Sequence, residues 1–332
     1  MKKNILVSCL ILFTYISATG QNSVGAMGGV FNVSPMGGAT YSIPIEVPLG
    51  VGGLQPQIAI TYNSQSGSGL CGYGATISGV SVITRGPKNL FIDGTTLGMS
   101  YLANDALYLD GTRLILESGV PGQENATYVL ESDPFTKVIT HGTSTSYVNN
   151  TWFELQKSDG TIVWYGCGET SRQSYYDNYG RQKIHSWYVD VVLTPTGNNI
   201  NYIYDTVDNC VYLICICYGS NLNNQGQLSN MVSFSYETSN GIPLHFDEKQ
   251  GSLSKRLKTI TSTTNDSIYR TYSFTYDNSS DGTKYKYSRL TEVAVTNGAG
   301  DALPSTLFNW DFLPSLSYQS TNMSVKIGRA HV

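Results

Sequence analysis

Several side chains of this 332-residue chain are of types that do chemistry, and spacing decides which chemistry each could reach. His141 stands three residues before Ser144-Thr145-Ser146, a proximity that would suit a histidine base and a serine nucleophile. A serine of that kind needs a strand-turn-helix elbow to present its hydroxyl, and none surrounds any serine here. The segment therefore reads as a polar loop. Asp133, Asp159, Asp177 and Asp190 could supply carboxylates for glycoside hydrolysis. Each is isolated, however, and acids beside Gly or Asn bond their own backbone in turns. Asp277-Asn278-Ser279-Ser280-Asp281-Gly282 sets oxygen ligands at alternate positions, as a calcium loop does, but no closing bidentate glutamate follows. Gly67, Gly69, Gly72 and Gly74 imitate a phosphate loop, yet no helix follows and no Lys-Ser/Thr closes the pattern, so they are expected in turns.

The thiols and imidazoles are equally dispersed. Cys71, Cys167, Cys210, Cys215 and Cys217 follow the N-terminal segment, and an odd number cannot all pair internally. Cys215-Ile216-Cys217 puts both thiols on one face of a strand. A disulfide from Cys210 to one of them and a set of small buried thiols are both compatible with this spacing. There is no Cys-x-x-Cys pair, and His141, His185 and His245 lie far apart in sequence, which argues against zinc. No catalytic, cofactor-binding or metal-ligating residue is assigned, and no cofactor is expected.

The elements that would carry these residues are strands. With 34 Gly, 24 Tyr and 13% charged residues, the composition favours strands and turns over helices. From Tyr41 onward apolar and polar residues alternate in short runs bounded by Gly, Asn, Asp and Pro. Strands are predicted at 57–62, 80–84, 106–109, 112–116, 151–156, 161–165, 187–193 and 200–204. Others are predicted at 211–218, 231–236, 258–263, 270–276, 290–296 and 305–310. Asp110-Gly111, Asp159-Gly160 and Gly197-Asn198 are hairpin turn dipeptides. The fold class is therefore all-β, an antiparallel β-hairpin meander forming a curled sheet. A loose repeat, aromatic-x-aromatic-acid, ends four strands at Tyr202-Ile203-Tyr204-Asp205, Phe234-Ser235-Tyr236-Glu237, Phe274-Thr275-Tyr276-Asp277 and Phe308-Asn309-Trp310-Asp311. Pro44, Pro48 and Pro56 remove backbone donors, so the segment around Tyr41 is expected to be an edge or entry strand and not a central one.

The ends add context. Lys2 and Lys3 precede an apolar run over 5–16 and the small residues Ser17-Ala18-Thr19-Gly20, the three-part pattern of a secretory signal peptide over 1–20. Leu6-Val7-Ser8-Cys9 precedes most of that apolar run, so no lipid anchor is expected at Cys9. Residues 21–38 are Gly-rich and read as a flexible lead-in to a β domain over 39–325. Lys326-Ile327-Gly328-Arg329-Ala330-His331-Val332 matches the translation of a sequencing adapter, so 326–332 is expected to be an artefact and the domain to be cut off on its C-terminal side. Net charge is −4 with Lys and Arg scattered, which gives no electrostatic footprint for nucleic acid. Nor is membrane insertion by this segment expected.

One region is specific enough to resemble a known family. Ala39-Thr40-Tyr41-Ser42-Ile43-Pro44-Ile45-Glu46-Val47-Pro48, then Gly52-Gly53-Leu54-Gln55-Pro56-Gln57-Ile58-Ala59-Ile60-Thr61-Tyr62-Asn63-Ser64, resembles the N-terminal domain of the SpvB family. That family takes in insecticidal Tc toxin B subunits and many Rhs/YD-repeat surface proteins. The likeness continues through Gly69-Leu70-Cys71-Gly72-Tyr73-Gly74, 77–85, 105–111, 187–190 and 197–202. Ala75 stands where the family usually has Trp. Tyr176-Asp177-Asn178-Tyr179-Gly180-Arg181 is similar to a YD-repeat core.

The resemblance implies a non-catalytic β module that begins a shell. Its implied partners are its own downstream Rhs/YD repeats and a C-terminal effector domain, together with other toxin-complex subunits. Family members that ADP-ribosylate actin do so with a separate C-terminal domain. Here Glu117, Glu124, Glu131, Glu154 and Glu169 form no Glu-x-Glu pair. The alternative reading is a secreted β-rich adhesin or glycan-binding surface protein.

Overall fold

The computed structural model describes residues 27–144, 149–221, 228–246, 249–277 and 287–310. The expected signal peptide, Thr145 and Ser146, most of the Asp277–282 loop and the 326–332 tail lie outside the described residues.

The chain opens with a small sheet. Strands β1 (Val30–Val33), β2 (Ala39–Pro44), β3 (Ala59–Asn63) and β6 (Ala75–Ser78) pair antiparallel in the order β1-β2-β3-β6. Between β3 and β6 lies the two-residue ladder of β4 (Ser68–Gly69) and β5 (Gly72–Tyr73). Two expectations change here. The last part of the expected lead-in carries β1, whose side chains are all exposed and whose backbone pairs with β2. In addition, β2 is interior rather than at an edge. Its pairing with β1 ends at Ser42, so the donor missing from Pro44 faces no partner on that side.

A closed ring follows. Strands β7 (Val82–Gly86), β8 (Ala106–Leu109), β9 (Thr112–Ser118), β10 (Thr127–Leu130), β11 (Asp133–His141), β12 (Trp152–Gln156) and β13 (Ile162–Tyr165) pair in chain order. After β14 (Arg172–Tyr176), the long strand β15 (Gln182–Leu193) pairs with β13 through 189–193 and with β7 through 186–188. Eight strands thus close on themselves, and at that number side chains fill the interior. Trp187 is its centre: fully buried, donating Nε1–H to the Thr151 carbonyl at 2.7 Å, edge-on to Phe153 and capped by the Arg85 guanidinium 5.0 Å above its ring. Arg85 in turn donates to the carbonyls of Ile184 and Leu102.

From residues 191–193 of β15, on the side away from β13, a meander grows: β16 (Asn198–Val207), β17 (Cys210–Asn221), β18 (Asn230–Phe246), β19 (Lys249–Thr264), β20 (Ser267–Asp277), β21 (Arg289–Asn297) and β22 (Ala302–Leu307). The small N-terminal sheet lies over its inner face. Tyr218 donates to the Pro48 carbonyl at 2.7 Å, the Glu46 amide donates to the Tyr272 hydroxyl at 2.8 Å, and Ile43, Ile60, Ile260 and Val293 are buried in the shared core. Ala75 is buried beside Tyr62, Phe308 and Trp310, and the Tyr62–Trp310 edge contact at 5.8 Å supplies the aromatic packing. The expected all-β, antiparallel, curled meander is what the chain forms. Among the described residues no helix is long and apolar enough to cross a membrane.

Candidate functional site

The residues with chemical potential do not converge. His141 stacks on Trp152 at 4.1 Å, with Nδ1 3.0 Å from Glu124 and Nε2 3.7 Å from Glu154, so its ring faces two carboxylates. Ser144 is held in a bridge to Asn149. Asp133, Asp159 and Asp177 take turn roles. Asp133 accepts from the Phe135 amide, Asp159 from the Thr161 amide, and Asp177 from the amides of Tyr179 and Arg181. The YD-like segment is therefore the hairpin turn joining β14 to β15, closed by the Arg181 guanidinium on Asp177 at 2.6 Å.

Asp190 departs from the turn expectation. It sits within β15, and its carboxylate accepts from the amides of Cys167 and Gly168 across the barrel seam. Burial there raises its pKa above the ordinary aspartate value, partly offset by the Ser171 hydroxyl and by those same amides. Among the glycines, Gly72 and Gly74 hold positive φ, and a Cβ on Gly72 would stand 2.7 Å from the Ser288 carbonyl. That is a turn role with close backbone approach, not a phosphate cradle. The five described cysteines are free thiols. Cys210 lies buried at the start of β17, whereas Cys215 and Cys217 lie mid-strand, and at about 3.3 Å per residue they are too far along it to pair with Cys210. Among the described residues no three His, Cys, Asp or Glu side chains gather to hold a metal ion.

Two features could serve a function. One mouth of the barrel opens on a cavity of about 530 Å³, rimmed by the turn residues Asp110, Asp133, Lys157 and Asp159, with Tyr165 and Val189 at its floor. Ser81 donates to Asp110 at 2.6 Å. The Tyr165 hydroxyl is 3.0 Å from the Ser81 hydroxyl, and burial pushes its pKa up. The polar atoms at this mouth are largely engaged with one another and with backbone, which describes a solvated barrel end.

The second feature runs through the meander and gives the aromatic-x-aromatic-acid repeat a structural meaning. Tyr204, Tyr236 and Tyr276 each sit at a register shift, opposite Leu213, Leu257 and Leu290 respectively. Tyr236 donates its hydroxyl to the Leu213 carbonyl at 2.7 Å, Tyr276 to Leu257 at 2.6 Å, and Trp310 its Nε1–H to Leu290 at 2.8 Å. Each aromatic thus bonds the residue that pairs with the aromatic one hairpin earlier. Tyr204 makes the first such bond, to Val189 of β15, at 2.7 Å. A β-bulge bends a strand and increases its twist. A bulge at the same place in successive hairpins, each stapled by a tyrosine hydroxyl, therefore gives the sheet a curl of constant sense. Burial raises the pKa of all three tyrosines.

The family model described as Salmonella virulence plasmid 65kDa B protein, SpvB, matches residues 33–90 and 127–243, more than half of the chain. The solved N-terminal domain of effector protein SpvB from Salmonella typhimurium strain LT2 superposes with a TM-score of 0.59 at 16% identity, over 77% of this chain and 98% of that one. The crystal structure of TcdB2-TccC3 gives 0.67 at 16% identity, over 85% of this chain and 17% of that one. The Photorhabdus luminescens Tc holotoxin pore gives 0.64 at 16%, over 90% and 17%. At such identity the likeness is one of fold, and this chain spans about a sixth of the Tc chains it matches. No curated protein matches it.

Proposed function

The chain belongs to the SpvB family, and from that premise we propose that it is a non-catalytic structural module at the start of an exported Rhs/YD-repeat or Tc-toxin-like protein. It forms part of the wall of a β shell that encloses or presents a C-terminal effector. The observation that carries this reading is the aromatic ladder of the meander: a curl repeated hairpin by hairpin is a rule for extending a wall, and each unit buries its face on the next. A catalytic role has no comparable support, since Ser144 is held in a bridge and Asp133, Asp159 and Asp177 are held in turns. The module's partners are its own downstream repeats and the effector, and it acts outside the cytoplasm after removal of residues 1–20.

The test is limited proteolysis and N-terminal sequencing of the full native gene product. A protease-resistant shell beginning near Gln21, releasing a C-terminal fragment only after denaturation, is the expected result. A C-terminal part digested as readily in the native product as in isolation contradicts enclosure. Retention of Met1 in the exported protein contradicts export through the signal.

A further inference from the structure

On the outer face of the meander, away from the core, two thiols lie side by side. Cys215 and Cys217 flank the fully buried Ile216 on β17, so both side chains leave the sheet on the face opposite Ile216, and their Sγ atoms are 3.1 Å apart. Met231 of β18 is the register partner of Cys217 and is 39% exposed. Directly opposed residues hold their Cβ atoms about 4.5–5.5 Å apart, within reach of a thioether. The remaining residues opposite the pair are Asn201 and Ile203 on β16 and Ser233 on β18, all uncharged.

We propose that Cys215, Cys217 and Met231 form a binding site for one soft, monovalent cation of the Cu(I) class. Thiolate and thioether donors select such ions over harder ones, and two sulfurs plus a third suit a low-coordinate ion better than a tetrahedral one. A disulfide between the two cysteines is the competing use, and backbone geometry disfavours it. Residues i and i+2 of a regular strand have Cα atoms about 6.6 Å apart, near the long limit of about 6.8 Å for a disulfide. Two sulfurs about 2.3 Å from a shared ion stand about 4 Å apart, a separation reached by a small side-chain rotation.

Binding breaks two S–H bonds, forms two thiolate–metal bonds and a thioether contact, and releases two protons without electron transfer. The Cys215 thiol, hydrogen-bonded to Cys217, lowers the Cys217 pKa to about 7, and burial partly opposes it. The same hydrogen bond raises the pKa of Cys215.

The full chain, reduced and under argon, is titrated with Cu(I) against a chromogenic Cu(I) chelator, with proton release followed in weak buffer. One Cu(I) per chain is expected to withstand competition. The Cys215→Ser/Cys217→Ser double variant should lose that ion, Met231→Leu should weaken it by about 10–100-fold, and Cys167→Ser should leave it unchanged. All four changed positions face outward or are exposed, and unchanged thermal melts establish that the variants fold. Retention of the ion by the double variant, unaltered affinity in Met231→Leu, or no competition by the wild-type chain overturns the site.

Discussion

In the barrel every strand has two neighbours, because β15 pairs with both β13 and β7 and leaves no edge. In the meander strands add in chain order, and among the described residues β22 pairs only with β21. The barrel packs inward around one centre, Trp187, whereas the meander spreads its core along the ladder and leans on the N-terminal sheet for cover. Closure fixes the size of the first region, and repetition leaves the size of the second open. A module that both anchors and extends a wall needs one of each kind.

The sharpest way to break this comparison is at the barrel's centre. Trp187→Ala should cost about 3–5 kcal/mol, read by urea unfolding, with the loss of hydrogen-exchange protection concentrated in β7–β13 and β15. A uniform loss across the meander would mean that the two regions are one cooperative unit. Leu257 is fully buried in β19. Leu257→Ala should cost about 2–5 kcal/mol and raise exchange from β18 outward while the barrel stays protected.

A smaller effect sharpens the ladder. Tyr236→Phe removes the hydroxyl from the Leu213 carbonyl and should cost about 0.5–1.5 kcal/mol. Tyr73→Phe, outside the ladder, should cost nothing measurable in the same assay. Smallest is the acid response of the turns. The Thr161 amide, donating to Asp159, holds its pKa below the ordinary aspartate value. Thr136 does the same for Asp133. Because these folded values are depressed, the stability they contribute is present above the unfolded value of about 3.9 and lost as pH falls through the folded one. Carboxyl titration by NMR should place both below that value, and Asp159→Asn should flatten the stability profile in that window.

Much of this architecture was legible in the sequence because hairpin meanders are local. All fourteen predicted strands from 57–62 to 305–310 overlap observed ones, and the Asp110-Gly111 dipeptide is a hairpin turn with positive φ at both residues. Two of the missed strands, β11 and β14, have polar inner faces. β11 points Thr136 and Thr140 inward, and β14 buries Arg172 and Gln173, so neither shows apolar alternation. Ring closure between β13 and β15 leaves no local signal, since it depends on a pairing across the inserted β14. The β18–β19 hairpin runs well past its predicted ends, because the register shift at Thr238/Ile242 absorbs Gly241 where a connection was expected. The aromatic repeat was visible in sequence, but the carbonyls it serves become available only at bulges that sequence patterns do not mark. Asp190 was misread because its partners, the amides of Cys167 and Gly168, are brought to it by the barrel seam alone.

The claim that this chain is a wall segment rather than a self-sufficient domain is tested most directly at β22. Among the described residues no strand pairs with its other side, where backbone groups invite a neighbour, and Pro304 sits at a register shift where it breaks no pairing with β21. Hydrogen exchange of β21 and β22 is compared between the isolated chain and the full native gene product. The shell reading expects β22 amides to exchange freely in the isolated chain and to become protected in the longer protein, where the next hairpin covers them. Equal protection in both would contradict it, and would mean that the meander ends where β22 ends.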